Sequence, residues 1–197
     1  MQEPRKIMGG LANRMFQFAY IYAQVRRGMI PDVYIQDFEY FRDFKEEIRQ
    51  LYREGVGERK DFVAVHIRLG DYVDNPFYVD LIKTDYYDKA FDYFPNEKFI
   101  IFYGDKVGKY AERDKKWLTE WLPKKGIQYE IREEQSDIED MNEMASCKGF
   151  IGANSSFSIW SAFLNINEDK KIIMPKQYYA DGIERTKYPE REGWIII

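Results

Sequence analysis

An apolar run, Phe62-Val63-Ala64-Val65, leads directly into His66-Ile67-Arg68-Leu69-Gly70-Asp71-Tyr72. A short run of this kind, bounded by polar and glycine residues, predicts a buried strand over residues 62–68. The strand ends on Arg68, and an arginine is costly to bury unless an anion pairs with it. The sequence therefore predicts an anion, most naturally a phosphate, at that edge of the sheet.

Strand-like and helix-like segments alternate from this point to the end of the chain. Strands are predicted over residues 98–103, 127–131, 149–153, 171–174 and 194–197. Helices are predicted over residues 85–94, 111–121, 138–146 and 156–164. The alternation predicts an α/β fold with a parallel sheet covered by helices on both faces. Ligands of such sheets bind beyond the carboxyl ends of the strands.

The first 60 residues carry fewer elements. The end of a strand is predicted over residues 6–10, a helix over 13–27, a second strand over 33–35 and a helix over 40–53. Residues 28–62 therefore have room for about one strand and one helix.

Composition narrows the classes of function. The 197 residues carry a net charge of −4, which argues against nucleic-acid binding driven by charge. The single cysteine, Cys147, excludes an intrachain disulfide and suits a reducing compartment. No signal peptide and no apolar stretch of the roughly 20 residues that span a bilayer are evident. We therefore expect a soluble, cytoplasmic protein, with peripheral membrane contact left open.

The end of the strand predicted over residues 62–68 offers two interpretations for each polar residue. His66 and Arg68 share one face of an extended strand. His66 is either a hydrogen-bonded core histidine or a site residue. Arg68 either binds phosphate with two nitrogens or pairs with Asp71 or Asp105.

Two further junctions join a strand to a helix with chemistry that suits phosphate. Residues 9–14, Gly-Gly-Leu-Ala-Asn-Arg, form either an ordinary tight turn or a backbone cradle for an anion. Residues 154–158, Asn-Ser-Ser-Phe-Ser, either cap a helix through Ser155 or Ser156 or bind an anion there. Acids at 137, 139 and 140 suit the start of a helix. Three such junctions together favour phosphate binding more than any one does.

These junctions, in this order, resemble the alpha-1,2-fucosyltransferase family, glycosyltransferase family 11. Residues 9–19 resemble its G-G-L-G-N-Q-M-F-Q-Y-A start, and residues 66–72 its H-x-R-R-G-D-Y motif. Residues 154–164 resemble N-S-S-F-S-W-W-G-A-W-L, and residues 99–105 the strand before its S-D-D segment. The matching blocks cover nearly the whole chain.

The resemblance implies an inverting, metal-independent transfer of L-fucose from GDP-fucose to a galactose 2-hydroxyl of a glycan. It implies a GT-B-like fold with a Rossmann-type parallel sheet in the C-terminal half. We expect a reduced acceptor-side subdomain over residues 1–60 and a GDP-sugar-binding domain over residues 61–197. The expected partners are GDP-fucose and a galactose-containing glycan, with no cofactor or metal; a homodimer would cover apolar surface left by the short N-terminal part.

By similarity, Arg68 would hold the β-phosphate and stabilise the departing GDP. The donor site would be completed by residues at strand ends and helix starts: Gly10, Asn13, Arg14, Gly104, Asp105, Asp140, Asn154, Ser155, Ser156 and Phe157. Among these, Asp140 would contact the guanine. The general base would be Asp71 or His66, with Asp105 less favoured and a phosphate oxygen of the donor as the other alternative.

The chain also departs from the family pattern. Leu69 stands in place of the second arginine, and we expect this to remove a positive charge from the site. Arg14 stands in place of a glutamine, and we hypothesise that it restores that charge. Gly-Asp-Lys at 104–106 replaces S-D-D. Two alternatives remain open: a non-catalytic GDP-sugar-binding module, and an O-fucosyltransferase-like enzyme with another acceptor. The absence of a G-x-G-x-x-G fingerprint argues against an NAD-dependent dehydrogenase.

Overall fold

The computed structural model describes residues 9–27, 38–104, 106–183 and 193–197. Six helices are seen within these ranges: α1 Leu11–Arg26, α2 Lys45–Arg53, α3 Tyr86–Asp92, α4 Ala111–Trp121, α5 Asp137–Ser146 and α6 Ser156–Leu164. Six strands accompany them: β1 Lys60–Ile67, β2 Lys98–Tyr103, β3 Gln128–Ile131, β4 Cys147–Ile151, β5 Lys171–Met174 and β6 Trp194–Ile196. Short 3-10 helices occur at Phe38–Phe44, Gly70–Tyr72, Leu81–Lys83 and Leu122–Lys125.

The six strands form one parallel sheet in the order β3-β2-β1-β4-β5-β6. Val63 of β1 lies opposite Phe99 of β2 on one side and Gly149 of β4 on the other. The order is that of a doubly wound, Rossmann-type sheet, in which the direction of winding reverses between β1 and β4. The α/β class and the Rossmann-type sheet of the GT-B-like prediction are thus confirmed.

Helices cover both faces of the sheet, as predicted. Alternate residues of β1 enter two separate apolar clusters, since Ala64 belongs to one and Val65 to the other. The Ala64 cluster contains buried side chains of α1, α2, α5 and α6. The Val65 cluster contains those of α3 and α4. The central strands are therefore buried on both faces, which explains their continuous apolar sequence.

Trp160 of α6 is the centre of the core beneath the N-terminal helices. It is fully buried, and aromatic rings of Phe16, Phe38, Phe41 and Tyr52 lie 5.1–5.9 Å from its ring. The prediction of a helix over 40–53 is wrong in its first part. Phe38 and Phe41 insert toward Trp160, and the backbone there forms a 3-10 segment interrupted at Phe41 before α2 begins.

The helices of the predicted N-terminal subdomain thus pack into the same apolar cluster as the sheet. The division of the chain at residue 60 stays a prediction. The predicted strand over 33–35, and residues 6–8 of the first predicted strand, lie outside the described residues.

Most other elements agree closely with the predictions. β2, α4, α6 and β5 have the predicted bounds. β4 lies two residues earlier than predicted, because Ala153 already belongs to the turn before α6, where its amide donates to Ser158 Oγ at 2.8 Å. Arg68 lies just beyond the end of β1 rather than within it.

Candidate functional site

A cavity of about 740 Å³ opens at the carboxyl ends of the strands, over the point where the winding of the sheet reverses. Segments that follow β1, β2, β3, β4 and β5 line it, together with the start of α1. Ten of the predicted site residues are in its wall: Gly10, Asn13, His66, Arg68, Asp71, Gly104, Asp140, Ser155, Ser156 and Phe157. The fold therefore brings together residues from both ends of the sequence.

Three predicted residues are not among them. Arg14 is exposed on α1 and does not line the cavity. Asn154 is buried behind the wall, where its amide donates to the carbonyls of Val79 at 2.8 Å and Tyr178 at 3.0 Å. Asn154 thus fastens two loops at the mouth to the start of α6. Asp105 lies outside the described residues.

Arg68 lies at the centre of one end of the cavity. Its Nη2 donates to Asp71 Oδ1 at 2.6 Å, which confirms the alternative of an Arg68–Asp71 pair. Its guanidinium also lies 4.7 Å from the centre of the Tyr72 ring. However, Nε of Arg68 is buried and has no hydrogen-bond partner in the protein. The ion pair therefore leaves a buried, charged donor unsatisfied, and a ligand acceptor would satisfy it.

The turn that follows Arg68 is held in place by α4. Gly70 has φ +66°, a conformation that strains other residues. Its amide donates to Oδ2 of the buried Asp114 at 2.7 Å, and its carbonyl accepts from Arg113 at 2.7 Å. These contacts fix the backbone that presents Arg68 and Asp71.

His66 is a hydrogen-bonded core histidine that also reaches the cavity. Its Nδ1 lies 2.6 Å from Oγ of the fully buried Ser158. Burial lowers the pKa of His66 to about 3, and the positive charges of Arg68 and Lys106 contribute. The ring is consequently neutral near pH 7.

Two helix N-termini meet in the wall of the cavity that Arg68 also lines. Ser155 caps α6, accepting from the Phe157 amide at 3.2 Å, so the capping interpretation is confirmed. Ser156 Oγ donates to Asn13 Oδ1 at 3.0 Å and thereby joins α6 to α1. Gly10, at the N-cap of α1, provides no side chain to satisfy the first amides of that helix. Both helix dipoles present their positive ends to the cavity.

Asp140 lies at the other end, in the first turn of α5. Its Oδ2 accepts from Lys106 Nζ at 2.6 Å, and both side chains are nearly buried. Burial raises the pKa of Asp140, and the hydrogen bond and charge of Lys106 oppose that rise. Oδ1 of Asp140 and Oε1 of Gln135 are both buried without a partner. Glu139, by contrast, forms a capping box with Ser136, the helix-start role considered for the acids.

Several residues of the wall were not predicted from sequence. They are Tyr72, Tyr78, Lys106, Gln135, Ser136, Tyr178 and Tyr179, among others. The rings of Tyr72 and Tyr78 stack at 3.9 Å, and Tyr78 lies 5.8 Å from Tyr179 across an antiparallel bridge. The only sequence signal for Lys106 was its place in the triplet that departs from S-D-D.

Leu69 occupies a different environment from Arg68. It is buried in the apolar cluster on the α3 and α4 face and does not line the cavity. The substitution of the second arginine therefore places an apolar side chain in the core, next to the cavity rather than in its wall.

Within the described ranges, no group of three or more His, Cys, Asp or Glu side chains is arranged to hold a metal ion. Across the same ranges, none of the helices combines the length and apolar character required to cross a bilayer. Metal independence, membrane contact and a homodimer stay predictions.

A Rossmann-type sheet with a cavity at its switch point is an arrangement that many nucleotide-binding α/β proteins share. The sequence places the chain more closely, because residues 6–197 match the model of glycosyl transferase family 11. The chain belongs to that family.

Two curated proteins of Escherichia coli are similar to this chain. The first, "O-antigen biosynthesis glycosyltransferase WbnK", is 31% identical over a match that covers 75% of this chain and 48% of that protein. The second, "Alpha-1,2-colitosyltransferase", is 28% identical over 82% of this chain and 60% of that protein. The chain thus spans about half the length of these relatives. No solved structure matches it.

Proposed function

We propose that this chain transfers L-fucose from GDP-fucose to the 2-hydroxyl of a galactose in a glycan, with inversion at the sugar carbon and without a metal. The family supports sugar transfer from a nucleotide donor to a glycan. The choice of donor and acceptor is the proposal, and it draws on the resemblance to alpha-1,2-fucosyltransferases.

The observation that carries the proposal is the unsatisfied Nε of Arg68. A buried guanidinium nitrogen without an acceptor costs folding free energy, unless a bound anion satisfies it. Arg68 and the positive ends of α1 and α6 line the same cavity, so three sources of positive potential face it. A diphosphate fits this end of the cavity, and Arg68 is proposed to bind its terminal phosphate.

The other end suits the guanine base. The Watson–Crick edge of guanine carries two adjacent donors, N1–H and the N2 amino group, whereas adenine and uracil alternate donors with acceptors. Asp140 Oδ1 and Gln135 Oε1 are two buried acceptors that lack donors. Guanine would satisfy both, which supports Asp140 as its proposed contact.

The transfer step follows from these positions. The acceptor hydroxyl oxygen forms a bond to C1 of fucose while the bond from C1 to the β-phosphate oxygen breaks. The electron pair of that bond remains on GDP, where Arg68 and the helix N-termini stabilise the added charge. The hydroxyl proton passes to a base.

Asp71 is our choice of base. Its carboxylate is 56% exposed at the cavity and is held by Arg68, which would release it as phosphate takes its place. His66 suits the role less well, because its pKa is lowered to about 3 and Nδ1 already bonds Ser158. If Ser158 donates to Nδ1, Nε2 carries the ring proton, and His66 then donates to the diphosphate.

A second donor sugar is suggested by the name of one relative, which transfers colitose in an alpha-1,2 linkage. A binding module without transfer is the other alternative, motivated by Leu69 in place of the second arginine of the family pattern. In both alternatives, the nucleotide would bind to the cavity in the same way.

The test is a transfer assay with GDP-fucose and a panel of galactosides, with products analysed by NMR, alongside calorimetry with GDP. Wild type is expected to bind GDP and form the alpha-1,2 product, whereas Arg68→Ala loses both. Arg59→Ala is the matched control, since Arg59 pairs with Asp169 and does not line the cavity. Binding without transfer would favour the module, and no GDP binding by wild type would contradict the proposal.

A further inference from the structure

Lys106 is a second cation in the wall of the cavity, which Arg68 also lines. Among the described residues that line the cavity, the lysines and arginines are Arg68 and Lys106. Lys106 stands in the segment where the family pattern has an acid. Arg14, the cation first considered as a replacement for the second arginine, lies outside the wall.

The contacts of Lys106 leave part of its ammonium for a ligand. The side chain is only 13% exposed, and one N–H donates to Asp140 Oδ2 at 2.6 Å. An ammonium has three donors. Lys106 can therefore keep its bond to Asp140 while it donates to a second acceptor in the cavity.

Lys106 lies on the segment between the two ends of the cavity, because it follows β2, and β2 lies between β1 and β3 in the sheet. It contacts Asp140 directly, and its charge also contributes, with that of Arg68, to the lowered pKa of His66. Lys106 follows β2, which is the strand beside β1 in the sheet. A nucleotide whose base meets Asp140 and whose terminal phosphate meets Arg68 must pass Lys106 with its sugar-proximal phosphate.

We propose that Lys106 binds the α-phosphate of the donor nucleotide and supplies the second positive charge of the diphosphate site. This inference rests on the proposed function, because it assumes a nucleoside diphosphate in the cavity. It assigns the terminal phosphate to Arg68 and the inner phosphate to Lys106. Lys106 also opposes the rise that burial causes in the pKa of Asp140, so one ammonium serves both parts of the nucleotide.

The test compares guanosine, GMP and GDP, which add one phosphate at a time, by calorimetry or competition on the full chain. Lys106→Met is expected to lower the affinity for GMP and GDP by about 10-fold or more, relative to its effect on guanosine. This is the effect of losing a charge-assisted hydrogen bond. Lys106→Arg keeps the charge and should restore most of the affinity. Lys109→Met is the matched control, because Lys109 is exposed in the same loop and lies over Tyr110 outside the cavity wall.

A second pair of variants separates the phosphate role from the effect on Asp140. Asp140→Asn removes the carboxylate that Lys106 holds, so the double variant Lys106→Met/Asp140→Asn differs from it only in the lysine. The double variant also avoids a buried carboxylate without a cation, should Lys106→Met alone fail to fold. It should bind GMP and GDP about 10-fold more weakly than Asp140→Asn, with guanosine affinity unchanged.

Equal losses for guanosine, GMP and GDP in Lys106→Met, together with no difference between the double variant and Asp140→Asn, would overturn the inference. The proposed function would survive that result, provided that Arg68→Ala still weakens GDP. If Arg68→Ala binds GDP as wild type does, the proposed function fails independently of Lys106.

Discussion

The two ends of the cavity are built in opposite ways. At the Arg68 end, a cation holds a carboxylate that is more than half exposed, and a buried donor, Nε, lacks an acceptor. At the Asp140 end, a nearly buried lysine holds a carboxylate, and two buried acceptors lack donors. One end therefore demands an anionic ligand, and the other demands a ligand with hydrogen-bond donors.

This difference gives the cavity a direction. A molecule that carries phosphate at one terminus and a donor-rich base at the other satisfies both ends, whereas the reverse orientation would place phosphate against Asp140. Coulomb repulsion and the cost of unsatisfied buried groups both oppose that reversal. The orientation proposed for a nucleoside diphosphate therefore follows from the atoms that each end leaves unpaired.

The largest effect is expected from Arg68→Ala. Loss of the guanidinium removes stabilisation of the charge that develops on the leaving diphosphate, and kcat should fall by about 1000-fold. Arg68→Lys should recover only part of this, because an ammonium lacks the planar fork of donors. Steady-state kinetics with GDP-fucose measure both, and equal rates for Arg68→Ala and wild type would contradict the assignment.

Asp140→Asn should disrupt ligand contacts only at the Asp140 end of the cavity. The amide keeps the size of the side chain but removes its charge, so affinity for GDP should fall by roughly 10- to 100-fold. Affinity for inorganic pyrophosphate, which has no base to meet Asp140, should not fall, because both Arg68 and Lys106 stay in place. Calorimetry with both ligands measures the contrast, and parallel losses would show that the two ends are not separable.

His66 lines the cavity near Arg68 and Lys106, and its protonation affects the free energy of unfolding. Its pKa is lowered to about 3, below the ordinary value of about 6.5, so the unfolded chain binds a proton that the folded chain does not. The free energy of unfolding should therefore fall as pH drops below 6.5, with His66 contributing about 1.4 kcal/mol per pH unit down to about pH 4.5, where carboxylates also titrate.

Urea unfolding of wild type and His66→Gln at several pH values measures this contribution. The variant should lose less stability than wild type between pH 6.5 and 4.5 by the stated slope. Parallel pH profiles for the two proteins would mean that the pKa of His66 is the same in the folded and unfolded chain.

The smallest effect is expected from Ser156→Ala, which changes only the end of the cavity where phosphate is proposed to bind. The variant loses the hydrogen bond to Asn13 that joins α6 to α1, worth about 1 kcal/mol. GDP affinity should fall by about 5-fold and guanosine affinity should stay unchanged. Ser161→Ala is a control on the same helix, since Ser161 Oγ donates to its own helix carbonyl at Phe157. A loss of affinity for guanosine would contradict the placement of Ser156 at the phosphate end.

The parts of the fold that were predicted well have strong local signals. The apolar runs of β2 and β5 and the helices α4 and α6 were delimited correctly, because each is bounded by glycine, proline or polar residues in sequence. The 3-10 segment at Phe38–Phe44 was missed, since its conformation depends on contact with Trp160 more than 100 positions away.

The residues of the site divide in the same way, into those with a signal in the local sequence and those that depend on contacts in the folded chain. Residues at strand ends, such as Arg68 and Ser155, were predicted because every carboxyl end of a parallel sheet lies at one edge. Lys106 and Gln135 were missed because their roles depend on partners, Asp140 and the cavity, that only the folded chain brings near. The sequence led to the interpretation of Leu69 as a charge lost from the site. Only the folded chain shows that its side chain lies in the core.

A crystal structure of the full chain with GDP tests the central claim most directly. The account predicts a phosphate oxygen of the terminal phosphate within hydrogen-bond distance of Arg68 Nε, and the guanine edge on Asp140 Oδ1. GDP bound in the reverse orientation, or bound elsewhere with Nε of Arg68 still unpaired, would contradict it.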